Sequence, residues 1–177
     1  MRQREVCPIC KKYQLIPPSG PPDSPVLLVG PYPGYMEIKK GIPWCGPAGK
    51  ILQRELSRVG IPIARCRVTN VWMHQKPKAG TKKNPSPLYH ECFDWCFNML
   101  REELKDRKAV LVMGAETSKL FFETNIMGIS GCVVESPYIS LETKVLAMIN
   151  PAIAENTTVG ELRLGVQRFA DLVREVV

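Results

Sequence analysis

Pro25-Val-Leu-Leu-Val-Gly30 is a short apolar run that ends on glycine, which is the pattern of a strand buried on both faces. Three similar runs follow it, at residues 66–71, 109–113 and 144–149. Between the runs, apolar residues recur at helical spacing over residues 47–59, 87–107, 115–124 and 159–177. Strands that alternate with helices predict an α/β fold, a three-layer sandwich whose central four-stranded parallel sheet carries helices on both faces.

The composition is typical of one globular domain. The chain has 177 residues, of which 45% are apolar and 23% charged, so we expect a single domain over residues 1–177. Prolines and a glycine crowd positions 17–22, which predicts an irregular segment over residues 1–25. No run approaches the roughly 18 apolar residues of a membrane span, and the polar start predicts no secretory signal. We therefore expect a cytoplasmic monomer with no membrane partner.

The charge favours a polyanionic partner. The formal net charge is +7, and residues 74–85 form a basic loop rich in proline and glycine. We expect its lysines to contact the phosphates of a nucleic acid; they are Lys76, Lys78, Lys82 and Lys83. An ordinary solvated loop is the alternative for these lysines, and an RNA or an anionic membrane surface would suit the same overall charge.

Seven cysteines make a disulfide framework a poor explanation, because their number is odd and no secretory signal is visible. Metal ligation, or burial as a small apolar residue, is the better interpretation of each. Cys7-x-x-Cys10 is a common half-site for zinc or for an iron–sulfur cluster.

In a parallel sheet the ligand site lies beyond the carboxyl ends of the strands, so the segments that follow the strands carry the most information. Gly30-Pro-Tyr-Pro-Gly34, six residues, and Gly41-Ile-Pro-Trp-Cys-Gly46-Pro-Ala-Gly49 resemble the signature of the iron–sulfur-containing family 4 of the uracil-DNA glycosylase superfamily. Three further motifs resemble it in the same order: Val68-Thr-Asn-Val71, Lys108-Ala-Val-Leu-Val-Met-Gly114 and Ile149-Asn-Pro-Ala152. The resemblance extends over residues 7–177 and implies a protein that binds double- or single-stranded DNA.

The resemblance also implies a pocket for a base flipped out of the DNA stack. Trp44 replaces the family's phenylalanine, which is expected to stack on the base, and Asn70 matches the asparagine that reads a pyrimidine edge. Gly30, Gly34 and Gly46 would let the backbone approach the base closely, and Tyr32 would crowd the floor of the pocket. A core tryptophan, a turn asparagine and ordinary turn glycines are the alternative interpretations.

The catalytic positions depart from the family pattern. Glu37 lies in the six-residue spacer, where the family has an acidic pair, and it would orient a water for attack on the sugar; Ile38 replaces the second acid. Pro31 occupies the family's glutamate position. Asn150 replaces the family's histidine and keeps only a neutral hydrogen-bond donor for the leaving base. Cleavage is therefore expected to be slower or selective for a base other than plain uracil. A solvated surface glutamate is the alternative for Glu37.

The resemblance extends the metal half-site to four ligands: Cys7, Cys10, His74 and Cys96. His74 stands where the family usually has its third cysteine, and Cys96 matches the fourth. Cys92 is an alternative ligand, because it lies one helical turn before Cys96 on the same face. We expect a 4Fe-4S cluster that ties the amino-terminal segment and the basic loop to the sheet. A zinc site and unmetallated thiols are the alternatives.

Three hypotheses for the function follow. The first is a DNA glycosylase that hydrolyses the N-glycosidic bond of uracil or of a modified pyrimidine. The second is a base-flipping protein that modifies or senses an unusual DNA base without excising it. The third is a metal-containing nucleic-acid-binding module that has no base pocket.

Overall fold

A computed structural model describes residues 5–81, 84–155 and 159–177, and its centre is a four-stranded parallel sheet. The strands are β1 (Val26–Gly30), β2 (Arg67–Asn70), β3 (Ala109–Met113) and β4 (Lys144–Met148), in the order β2-β1-β3-β4. All three strand pairs are parallel. The predicted α/β fold with a four-stranded parallel sheet is confirmed.

Helices connect the strands and cover both faces of the sheet. They are α1 (Tyr35–Lys40), α2 (Pro47–Arg58), α3 (Pro87–Leu104), α4 (Ala115–Phe122), α5 (Ile126–Ile129) and α6 (Val159–Val176). Two short 3-10 helices cover Ile63–Arg65 and Pro151–Glu155. Alternate residues of β1 enter the two cores: Leu28 packs with α2 and α6, whereas Leu27 packs with α3 and with Phe121 of α4.

Two of the longer helices, α2 and α3, begin where the sequence supplies start signals. Pro47 occupies the first turn of α2 after Gly46, and Pro87 does the same in α3. The Ser86 hydroxyl accepts a 3.4 Å hydrogen bond from the Tyr89 N–H and caps α3. The short α1 was not predicted; it occupies the six-residue spacer and ends at Gly41, whose φ of 70° is left-handed.

The amino-terminal segment forms no helix or strand over residues 5–25. It is nevertheless bound to the body of the protein. Ser19 and Val68 exchange backbone hydrogen bonds of 3.0 and 2.9 Å, and the Ile16 N–H donates to the Met73 carbonyl at 2.7 Å. These contacts place Cys7 and Cys10 beside the loop that follows β2. Within the described residues, no helix combines the length and apolar character that crossing a membrane requires.

Candidate functional site

The carboxyl ends of the strands open into a cavity of about 430 Å³, which we call the strand-end cavity. Its lining residues follow β1 or β4, end β2, or lie in α1 and at the start of α2; they are Pro31, Tyr32, Gly34, Tyr35, Met36, Glu37, Trp44, Gly46, Pro47, Ala48, Asn70, Asn150 and Ala152. Seven of the eight residues that the sequence analysis assigned to base binding and catalysis are in this lining. The eighth, Gly30, lies against two of them.

Trp44 and Asn70 meet above Gly30. Gly30 and Asn70 are paired in register at the ends of β1 and β2. A Cβ atom on Gly30 would lie 2.6 Å from Asn70 Oδ1 and closer still to Cζ2 of the Trp44 indole. Only glycine leaves room here for the ring and the carboxamide together. An aromatic plate and a hydrogen-bonding amide therefore stand side by side at one wall of the cavity.

A hydrogen bond to the side chain and close packing on the backbone hold Trp44 in place. The indole Nε1–H donates a 3.1 Å hydrogen bond to the Thr69 carbonyl oxygen in β2. The backbone of Trp44 has a left-handed φ of 58°, which is unfavourable for a residue with a side chain. Gly49 of α2 packs directly on the Trp44 backbone, where a Cβ would come within 2.9 Å of Trp44 Cα. This role of Gly49 was not predicted, although the glycine lies within the quoted motif.

Asn70 is 4% exposed, and its carboxamide lies in the wall of the strand-end cavity beside Gly30. A ligand that hydrogen-bonds to this carboxamide would be stabilised in the cavity. The group offers one acceptor oxygen and two N–H donors. That combination is complementary to a carbonyl next to an N–H on the edge of a flat heterocycle.

Glu37 is a buried carboxyl group in the wall of the cavity. It lies in the first turn of α1, and its Oε2 accepts a hydrogen bond from the Gly34 N–H. Burial raises the pKa of the Glu37 carboxyl, although backbone hydrogen bonds at Gly34 and Trp44 act to lower it. A carboxyl group with a raised pKa is a better proton acceptor near neutral pH than an exposed one.

Asn150 presents an oriented N–H donor. Its Oδ1 accepts a 3.0 Å hydrogen bond from the Ala152 N–H at the start of the second 3-10 helix. Because the oxygen is used in this way, the Nδ2 group is left as the donor of the side chain. Asn150 also lies close to Gly114 at the end of β3, where a Cβ would be 3.4 Å from Nδ2. The side chain is therefore fixed in orientation without any charge.

Tyr32 borders the cavity from its open side, because its side chain is 44% exposed. We expected it on the floor of the pocket; the structure places the buried residues Trp44 and Asn70 deeper. Lys76 Nζ lies 5.5 Å from the centroid of the Tyr32 ring and forms an ion pair with Glu116. Tyr32 therefore contacts the basic loop at the rim of the cavity.

The basic loop is described only in part. Lys78 is exposed, as a phosphate-binding lysine would be. Lys76 is partly covered and already has an acidic partner, Glu116, on α4. Lys82 and Lys83 lie outside the described residues.

Three cysteines and a histidine form a separate group, which we call the cysteine cluster. The ligand atoms of Cys7, Cys10, His74 and Cys92 all lie within 4.8 Å of one another, and Cys7 Sγ is 4.0 Å from Cys92 Sγ. Cys92, the alternative of the sequence analysis, is part of this group, whereas Cys96, the favoured fourth ligand, is not. Both cysteines are buried on the same face of α3, so their spacing alone did not distinguish them.

His74 fits a metal or a cluster. The residue is 0% exposed, and its Nε2 is buried with no hydrogen-bond partner. Its Nδ1 lies 2.8 Å from the Gln75 carbonyl oxygen, which only accepts, so Nδ1 carries the proton and Nε2 keeps its lone pair. Burial lowers the pKa of His74 and favours this neutral ring. Three sulfur donors and an unpartnered nitrogen are the ligand set of a thiolate-rich metal site.

Comparisons with known proteins agree with the geometry. Residues 17–168 match the family described as the uracil DNA glycosylase superfamily. The chain is 28% identical over 148 residues to the type-4 uracil-DNA glycosylase of Archaeoglobus fulgidus, a match that covers 80% of this chain and 72% of the relative. The identity to the protein of the same name from Pyrobaculum aerophilum is 30% over 121 residues, 66% of this chain and 58% of the relative. The Sulfurisphaera tokodaii protein of that name is 34% identical over 70 residues, 37% of this chain and 32% of the relative.

Proposed function

Because the chain belongs to the uracil DNA glycosylase superfamily, we propose that it is a DNA glycosylase that flips uracil or a modified pyrimidine out of DNA and hydrolyses its N-glycosidic bond. The observation that carries this proposal is the meeting of the Trp44 indole and the Asn70 carboxamide above Gly30. A base that leaves the stack loses stacking and pairing, and an aromatic plate beside a hydrogen-bonding amide replaces both.

Each residue around the base would have a separate role in the hydrolysis. Trp44 stacks on the extruded base, and Asn70 donates to and accepts from its edge. Glu37 holds the attacking water and takes its proton, which the raised pKa of the buried carboxyl favours. The Asn150 Nδ2–H donates to the base as it leaves with negative charge. The bond from sugar to base breaks, and a bond from the water oxygen to the sugar forms.

Asn150 and Pro31 set limits on the rate. A neutral amide stabilises a leaving anion less than a charged donor does, because it brings no net charge to the site. Pro31 offers no carboxylate at its position, so Glu37 is the one acidic side chain among the described residues that line the cavity. We expect slow hydrolysis of plain uracil and faster hydrolysis of a base that is a better leaving group.

Cys7, Cys10, His74 and Cys92 would hold a 4Fe-4S cluster, with zinc as the alternative. The three sulfur donors and the resemblance to the iron–sulfur-containing family 4 support the cluster. When bound, the group supplies a structural crosslink and takes no part in the hydrolysis. It would join the amino-terminal segment, the loop after β2 and α3, and so hold the basic loop near the strand-end cavity.

The second candidate function is recognition of an unusual base without excision. The replacement of the family's glutamate and histidine by Pro31 and Asn150 favours it, because an aromatic ring and an amide remain at the base-binding positions while these two catalytic side chains do not. Such a protein would bind DNA in a base-dependent way and release no free base.

One experiment separates these functions. Protein with its metal bound is incubated with single- and double-stranded DNA that contains uracil, hydroxymethyluracil, hypoxanthine or xanthine, and both DNA binding and released free base are measured. If the wild-type protein releases a free base and the Trp44→Ala and Asn70→Ala variants do not, the result supports the glycosylase. Base-dependent binding without release supports the sensor. If DNA binding does not depend on the base and Trp44→Ala leaves it unchanged, both functions are overturned.

A further inference from the structure

A second cavity, of about 380 Å³, lies beside the strand-end cavity. Pro31 lines both cavities, so they adjoin at the segment after β1. The second cavity lies between α3, the start of α4 and the loop after β2, and the proposed hydrolysis makes no use of it.

One wall of the second cavity is aromatic. Trp72 is buried, and its ring centroid lies 4.9 Å from that of Tyr89 and 5.6 Å from that of Phe93. Tyr89 and Phe93 are only partly buried and face the cavity. Aromatic side chains of this kind form stacking surfaces for nucleobases that tolerate any base, because every base has a flat π-face.

Lys76 stands at the boundary between the two cavities. Its Nζ lies 5.5 Å from the centroid of Tyr32, which lines the strand-end cavity, and 6.0 Å from the centroid of Tyr89, which lines the second cavity. The ammonium pairs with Glu116. A cation in this position is suited to the phosphate that links two neighbouring nucleotides, with the phosphate taking the place of the carboxylate.

The second cavity also borders an unsatisfied polar group. Thr117 is 1% exposed, and its hydroxyl is buried with no hydrogen-bond partner. Buried hydroxyl groups are nearly always paired, so a group without a partner beside a cavity indicates a missing ligand or water.

We propose that the second cavity receives the nucleobase next to the extruded one on the same DNA strand, and that Lys76 binds the phosphate between them. This inference rests on the proposed function, because it needs an extruded base in the strand-end cavity. Two adjacent bases leave the stack together, Trp44 holding one and Tyr89 and Phe93 the other. Single-stranded DNA is the better substrate for such binding, since no second base pair has to open.

The test uses short single strands with a central 2′-fluorinated uracil nucleotide that resists hydrolysis. The 5′ neighbour, the 3′ neighbour or neither is replaced by an abasic residue, and affinities are measured by fluorescence anisotropy. We expect one of the two replacements to weaken binding by about tenfold and the other to have little effect, because only one neighbour can reach the cavity. Equal affinity for all three strands overturns the proposal. This comparison uses the wild-type protein alone.

Tyr89→Leu provides the second arm, since it keeps an apolar side chain and removes the ring. In this variant the strand with the critical abasic neighbour and the intact strand should bind equally well. Tyr138→Leu is the matched control, because Tyr138 is a partly exposed tyrosine that packs edge-on against Phe97 outside both cavities. If the affinity of Tyr89→Leu still depends on the neighbouring base, the assignment of the aromatic wall as the site of that base is contradicted.

Trp44→Ala separates the failure of this inference from that of the proposed function. If Trp44→Ala weakens binding while the neighbouring base has no effect, the second cavity is not a base site and the strand-end cavity remains one. If Trp44→Ala leaves the affinity for the uracil strand unchanged, the base-flipping function itself fails, and this inference fails with it.

Discussion

The indole N–H of Trp44 donates a 3.1 Å hydrogen bond to the carbonyl oxygen of Thr69, and this contact joins the loop after β1 to the end of β2. It places the ring next to the carboxamide of Asn70, the residue that follows Thr69. The two candidate base-binding groups are therefore positioned by one backbone, and a change that moves the indole also changes the surroundings of the amide.

Gly30→Ala should destroy this arrangement. The added methyl would overlap the Trp44 ring and crowd Asn70 Oδ1, so the indole must move out of its hydrogen bond. We expect a loss of about 1–3 kcal/mol in the free energy of unfolding from overpacking. Base-dependent DNA binding should weaken about tenfold or more, because stacking is lost. Gly128→Ala is the matched control, since a Cβ there meets nothing within 4 Å. Equal base-dependent binding by the two variants would contradict the assigned slot.

Glu37→Gln tests the catalytic carboxyl group. The amide keeps an oxygen that accepts from the Gly34 N–H, so the loop should stay in place, but it takes no proton. We expect hydrolysis to fall by about 10²–10⁴-fold, the usual contribution of a general base, with DNA affinity little changed. An equal fall in affinity and in rate would assign Glu37 a purely structural role.

Glu37→Gln should also change how the stability of the protein depends on pH. The folded-state pKa of Glu37 lies above its value of 4.5 in the unfolded chain, so the folded protein binds the proton more tightly. The contribution of Glu37 to stability is therefore fully present below pH 4.5 and is lost as the pH rises through the folded-state pKa. Relative to Glu37→Gln, the wild-type protein should lose stability over that interval, as measured by chemical denaturation at a series of pH values. The rate of hydrolysis should rise over the same interval.

The sheet and the strand-end cavity could be predicted because both follow from local patterns. Apolar runs such as Val26–Gly30 identify buried strands, and parallel strands bring their carboxyl ends to one edge, so Trp44 and Asn70 were expected near each other. The choice of Cys92 over Cys96 in the cysteine cluster could not be predicted, because it depends on how the amino-terminal segment packs against α3. The pairing of Lys76 with Glu116 likewise depends on where α4 lies relative to the basic loop.

Cys92→Ala and Cys96→Ala form a matched pair for the metal centre. Both side chains are buried on the same face of α3, so both substitutions remove a sulfur and leave a small cavity. Only Cys92 belongs to the group with Cys7, Cys10 and His74. Cys92→Ala should lose most of the bound metal, and Cys96→Ala should keep it. Metal content and the visible absorbance of an iron–sulfur cluster provide the measurements. Metal loss in Cys96→Ala with retention in Cys92→Ala would reverse the assignment.

Glu116→Gln should increase the affinity for DNA, because Lys76 loses its acidic partner and becomes available to a phosphate. Lys76→Ala should weaken binding and reduce the magnitude of the slope of log affinity against log salt by about 0.7–0.9, the value for one phosphate contact. Lys144→Ala is the control for charge alone, since Lys144 is an exposed lysine at the amino end of β4, away from the strand-end cavity. If Lys76→Ala and Lys144→Ala changed the salt slope equally, the contribution of Lys76 would be that of net charge, and the ion pair with Glu116 would have no part in DNA binding.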